Sequence, residues 1–112
     1  MTVRLSKPWR PFDHATVATL TGHLGVYELG NTAGDVLYIG AAGGRSRFGL
    51  KGQLMDRLAA DLDGACCFRV EVNMAYHSRR IELLEIYLND HGQLPIYNTD
   101  VDESRLGRVR PG

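Results

Sequence analysis

The chain has 112 residues, the length of a single domain with one modest core. Its hydrophobic share of 44% and charged share of 23% exclude disordered, collagenous and coiled-coil chains. Thirteen Lys and Arg balance thirteen Asp and Glu, so the net field selects no partner and a polyanion would have to be held by a local patch.

In chain order, residues 1–23 read as a lead-in to the domain. Residues 1–12 hold Arg4, Lys7, Arg10 and two prolines with no long apolar run, so no secretory signal is expected. Pro8-Trp9-Arg10-Pro11 suggests extended chain, and Asp13 is placed to cap a short helix over residues 14–20. Residues 25–29 read as a strand, residues 30–35 as a turn rich in Gly, Asn and Asp, and residues 36–40 as the returning strand of a β-hairpin. Residues 41–49 follow as a flexible, basic loop.

Residues 50–62 predict a helix, because Leu50, Leu54, Leu58 and Leu62 recur on one face. Gly52 lies inside it, at about 1 kcal/mol relative to Ala. Asp63-Gly64 breaks the chain, and Phe68, Val70 and Val72 alternate with Arg69 and Glu71 as a half-buried strand. Cys66 and Cys67 are adjacent, an arrangement that suits neither a mutual disulfide nor a zinc site, and that fits a reducing compartment with at least one thiol as core filler. The four histidines fall at no metal-ligand spacing. Residues 78–91 predict a second helix closed by Gly92, and residues 99–112 a polar, frayed tail. No stretch nears the ~20 apolar residues of a bilayer span, so a cytoplasmic protein without membrane contact is expected. The sum is one α+β domain, a small three-stranded antiparallel sheet flanked by helices, with its core at about residues 24–98.

The chemistry-bearing residues follow that order. Gly25-Val26-Tyr27 and Tyr38-Ile39-Gly40 lie on the two hairpin strands, whose geometry brings the phenols close. Arg57 stands in Met55-Asp56-Arg57-Leu58, Glu85 closes Leu83-Leu84-Glu85, and Pro95-Ile96-Tyr97-Asn98 follows the last helix. On helical wheels Arg57 and Glu85 both fall at the margin of their apolar stripes, where a charged group can face a groove. Taken singly, each has a bland reading: tyrosines are ordinary strand formers, charged residues on helices are ordinary surface, and Asn after Pro makes turns. Taken together and in this order, they resemble the GIY-YIG nuclease family over about residues 24–98.

The resemblance implies a metal-dependent nuclease that hydrolyses phosphodiester bonds in nucleic acid, DNA in preference to RNA. It implies Tyr27 as general base, Tyr38 positioning water or phosphate, Arg57 gripping the phosphate, Glu85 holding Mg²⁺ or Mn²⁺, and Asn98 holding a loop or the phosphate. Those residue types suit the reaction independently, since hydrolysis needs an activated water and positive charge at the developing oxyanions. The loop before Arg57 is longer than is usual in that family. Its Arg45, Arg47 and Lys51, against Asp56 alone up to Arg57, are candidate nucleic-acid contacts, with Phe48 between them. The other class of reading is a catalytically silent nucleic-acid-binding or protein-interaction module on the same scaffold, and a homodimer that completes the binding surface stays open.

Overall fold

A computed structural model describes residues 4–106. The end of the expected polar tail, residues 107–112, lies outside the described residues. The elements run β1 (Arg10–Pro11), α1 (His14–Ala18), β2 (Gly25–Gly30), β3 (Val36–Ala42), α2 (Gly49–Ala60), β4 (Cys67–Val72) and α3 (Tyr76–His91), followed by a 3₁₀ turn at Glu103–Arg105. No described helix is long and apolar enough to cross a membrane.

The sheet has four strands rather than three, in the order β1-β4-β2-β3, with every neighbouring pair antiparallel. The added strand comes from the segment read as lead-in: Arg10 pairs with Phe68 and Pro11 with Cys67. A proline is tolerated there because β1 is an edge strand. Residues 4–23 thus belong to the packed domain, with Leu5 and Val17 buried. Asp13 caps α1 by accepting from the Thr16 N–H at 2.7 Å, although the helix stops at Ala18. The hairpin turn is organised by Asn31, whose side-chain oxygen accepts from the N–H groups of Ala33 and Asp35, each at 3.0 Å. Residues 41 and 42, expected in a loop, extend β3 by pairing with Val26 and Gly25.

β2 lies between β3 and β4, and all six of its residues are buried. Strand alternation then sorts the side chains into two layers. Tyr27, Leu29, Tyr38, Ala42 and Phe68 pack with Val17 of α1 and Leu50 and Leu54 of α2. Val26 and Ile39 face the other way, against Leu83 and Leu84 of α3 and Leu5 of the N-terminal segment. A small domain gains from burying both faces of its sheet, at about 25 cal/mol per Å² of apolar area.

The two glycines that flank the hairpin tyrosines are required by close approach. Tyr27 is opposite Gly40 across the ladder, and its phenol lies over Gly40 where a Cβ would stand. A Cβ on Gly25 would strike the backbone carbonyl of Glu71 on β4. Gly40→Ala should therefore destabilise the domain by about 1–3 kcal/mol through overpacking. Gly25→Ala should cost more, because a carbonyl held in a sheet yields less than a ring. Urea unfolding measures both, and values within about 0.5 kcal/mol of wild type, typical of open surface, would contradict this packing.

Candidate active site

Tyr27 on β2 and Tyr38 on β3 are diagonal neighbours on the same face, with ring centroids 6.0 Å apart. α2 crosses above them, anchored by buried Leu50 and Leu54, and from it Arg57 reaches down to both phenols. Arg57 Nε donates to the Tyr27 hydroxyl at 3.1 Å and Nη2 to the Tyr38 hydroxyl at 2.9 Å. The guanidinium also lies over the Tyr38 ring, 4.5 Å from its centroid, a cation–π contact. The Tyr27 hydroxyl in turn donates to Gln53 Oε1 at 3.0 Å. Gln53 Nε2 continues to Ser46 Oγ at 3.4 Å, which accepts from the Gly43 N–H at 3.0 Å.

Burial dominates the electrostatics of this cluster. It pushes the Tyr27 pKa up to about 12, with the Arg57 hydrogen bond opposing and Tyr38 adding to the rise. For Arg57 burial alone works against the charge, yet the Tyr27 hydrogen bond and the fields of Tyr27, Tyr38 and Asp100 together hold its pKa above the ordinary value. Tyr27 at neutral pH is thus a neutral phenol with a fixed rotor beside a permanently charged guanidinium.

The remaining candidates are placed differently. Asn98 is buried, and its amide grips one residue of the edge strand: Oδ1 accepts from the Ile39 N–H and Nδ2 donates to the Ile39 carbonyl, both at 2.9 Å. It holds β3 between Tyr38 and Gly40. Arg80 of α3 donates to the same carbonyl at 3.2 Å. Glu85 is half-buried on α3, in a depression it shares with Leu88, Asn89, Glu103, Ser104 and Leu106. α3 covers the Val26–Ile39 face of the sheet, and the depression that holds Glu85 includes none of Tyr27, Tyr38, Gln53 or Arg57. No described residue hydrogen-bonds to or ion-pairs with Glu85. Its carboxylate and that of Glu103 are hard oxygen donors of the kind Mg²⁺ takes alongside several waters. Among the described residues no three His, Cys, Asp or Glu converge into a fuller metal cage. Arg45, Arg47 and Phe48 are exposed on the turn before α2, and Lys51 is half-buried on its first turn.

Three participants escaped the sequence reading. Gln53 lies four residues before Arg57, hence on the same helix face, and that spacing was available as a signal. Arg80 and Asp100 reach the cluster only through tertiary packing, as charges acting on Tyr27 and Arg57.

The elevated Tyr27 pKa makes a prediction about alkaline stability. Below pH 10 the folded and unfolded states both keep the proton and this group contributes no pH dependence. Between pH 10 and 12 the unfolded phenol ionises while the folded one does not. Stability should therefore fall with rising pH, by roughly 3 kcal/mol across that window. Urea unfolding through the same range should show a shallower loss in Tyr27→Phe, and an identical loss in both proteins would contradict the burial of an unionised phenol.

Comparison with known proteins finds no matching curated protein and no matching solved structure. One family model matches, described as a domain of unknown function, DUF7508, over residues 3–90. That span includes Tyr27, Tyr38, Arg57 and Glu85 and ends before Asn98. The match covers more than three quarters of the chain, and the chain belongs to the DUF7508 family.

Proposed function

We propose that this domain is a GIY-YIG-type nuclease that hydrolyses phosphodiester bonds in nucleic acid, DNA in preference to RNA, with Mg²⁺ or Mn²⁺. The observation that carries the reading is the Arg57 fork, one guanidinium hydrogen-bonded to phenols on two adjacent strands. In this reading Arg57, whose Nη1 makes no hydrogen bond with a described residue, grips a non-bridging phosphate oxygen and offsets the charge that develops there. Tyr38 accepts from Arg57 and directs its own proton outward, to a phosphate oxygen or to the attacking water. Tyr27 orients the guanidinium through its oxygen while its hydroxyl donates a hydrogen bond to Gln53. Service as a base requires positive charge beyond that of Arg57, because burial holds the phenol neutral. Glu85 is the residue that would hold the metal, and a hydrated divalent ion supplies a water of lowered pKa and polarises phosphate.

The separate position of Glu85 supports a second reading, a module that binds phosphodiesters at the Arg57 fork without cleaving them. Incubating the protein with single- and double-stranded DNA and RNA, with Mg²⁺, Mn²⁺ or EDTA, separates the two. The nuclease reading expects metal-dependent cleavage that Glu85→Gln abolishes with its circular dichroism unchanged. Tyr27→Phe and Arg57→Lys should each slow cleavage by about 10²-fold or more, through loss of the phenol oxygen and of the bidentate fork. Nucleic acid bound at the fork but uncut under every metal condition would establish the silent module instead.

A further inference from the structure

Phe48 is 67 % exposed and has a left-handed backbone, φ 62° and ψ 22°, a conformation that bulky residues rarely adopt. The chain on either side fastens it there. Ser46 N–H bonds to the Gly43 carbonyl at 2.9 Å, Gly49 N–H to the Ser46 carbonyl at 3.1 Å, and Gly52 N–H to the Phe48 carbonyl at 3.2 Å, while Leu50 N–H reaches the His23 carbonyl at 2.8 Å. Gly52, unfavourable inside a helix, gives the Arg47 carbonyl room to lie against α2, where a Cβ would collide with it. The turn is thus hydrogen-bonded on both sides of Phe48, and it turns an aromatic ring toward solvent.

The surroundings of the ring are cationic and connect to the Arg57 cluster. Arg47 places its guanidinium 5.2 Å from the Phe48 ring centroid. Phe48, Arg47, Lys51, Gln53, Met55 and Asp56 line one shallow depression. Gln53 accepts the hydrogen bond of the Tyr27 hydroxyl, so the depression and the Arg57 fork share a wall. Charge complementarity selects the occupant, since Arg45, Arg47 and Lys51 outnumber Asp56 and the apolar face between them suits a flat, uncharged ring on an anionic chain.

We propose that Phe48 is a stacking platform for an unpaired base of single-stranded DNA, whose flanking phosphates meet Arg47 and Lys51 and whose strand continues past Gln53 to the Arg57 fork. Only the last clause rests on the nuclease reading. Stacking on one aromatic face tolerates any base, because every base has a π-face. In a duplex those faces are covered by neighbouring base pairs, so the platform discriminates by strandedness.

The test is fluorescence anisotropy in EDTA with a labelled mixed-sequence 12-mer, presented as a single strand and as a duplex. The wild type should bind the single strand more tightly. Phe48→Ala should weaken that binding roughly 5- to 150-fold, the span of one stacked base, while Phe48→Trp retains it. Phe48→Gly suits the left-handed backbone better than phenylalanine does, so the same loss there cannot come from misfolding. Replacing Arg47 and Lys51 by Ser should flatten the dependence of log K on log salt by about 1.4, from ~0.7 per single-strand contact, and Phe48→Ala should leave that slope unchanged. Equal affinity for duplex and single strand, wild-type affinity in Phe48→Ala, or no binding at all would overturn the platform. Because metal is withheld, Phe48-dependent binding stands even if the domain never cleaves, and cleavage without Phe48 dependence would refute the platform and leave the nuclease reading intact.

Discussion

The hydrogen bonds from Arg57 to Tyr27 and Tyr38 set the constraint around which this domain is arranged. A guanidinium is planar, and its Nε and Nη2 protons point in fixed directions, so two acceptor oxygens must be presented at matching positions. The hairpin supplies them as a diagonal pair on one face. That pairing needs Gly40, over which the Tyr27 ring lies, and it needs β3 held in register, which Asn98 does through the Ile39 backbone. It also needs α2 seated at the right height, which Leu50 and Leu54 provide. A half-buried guanidinium that loses one of its phenol acceptors leaves a donor unmet, at a cost of about 1–3 kcal/mol.

The sheet divides the molecule into layers with different work. The α2 layer carries the two phenols, the guanidinium, Gln53 and the exposed aromatic turn. The α3 layer carries ion pairs across β2, β4 and α3. Glu28 and Arg69 are opposite each other on the ladder, joined at 2.7 Å, and Glu71 is joined to Arg79 at 2.8 Å. Burial raises the Glu28 pKa and the Arg69 hydrogen bond opposes the rise, the balance of a pair that ties β4 to β2. Arg80 and Asp100 are the points where electrostatics cross from one layer to the other.

Much of this was legible in the sequence because it is local. The hairpin announced itself by a Gly-, Asn- and Asp-rich turn between two strand-like runs, and the tyrosine spacing already implied their proximity. The position of α2 followed from leucine periodicity, and the end of α3 from Gly92. Long-range pairing was not legible: β1 is two residues long and contains a proline, and nothing in such a dipeptide encodes a partner 56 residues away. The helical wheel placed Glu85 at the margin of its stripe, but a wheel does not say which face of a sheet its helix covers. Gly52 read as a defect in a helix because its purpose, room for the Arg47 carbonyl, exists only once the turn has folded back. Gln53 was overlooked because an amide carries no chemical signature until a phenol is found beside it.

In the proposed function, phosphodiesters are taken up on the α2 layer at the Arg57 fork. The most direct measurement follows the arginine side-chain Nε–H resonances by ¹⁵N-edited NMR while a short single-stranded oligonucleotide is added without metal. Arg57 and Arg47 should shift as the oligonucleotide saturates, while Arg69 and Arg79, engaged in ion pairs on the other layer, should keep their positions. Movement of Arg69 and Arg79 with a stationary Arg57 would place the ligand on the opposite face of the sheet and contradict uptake at the Arg57 fork.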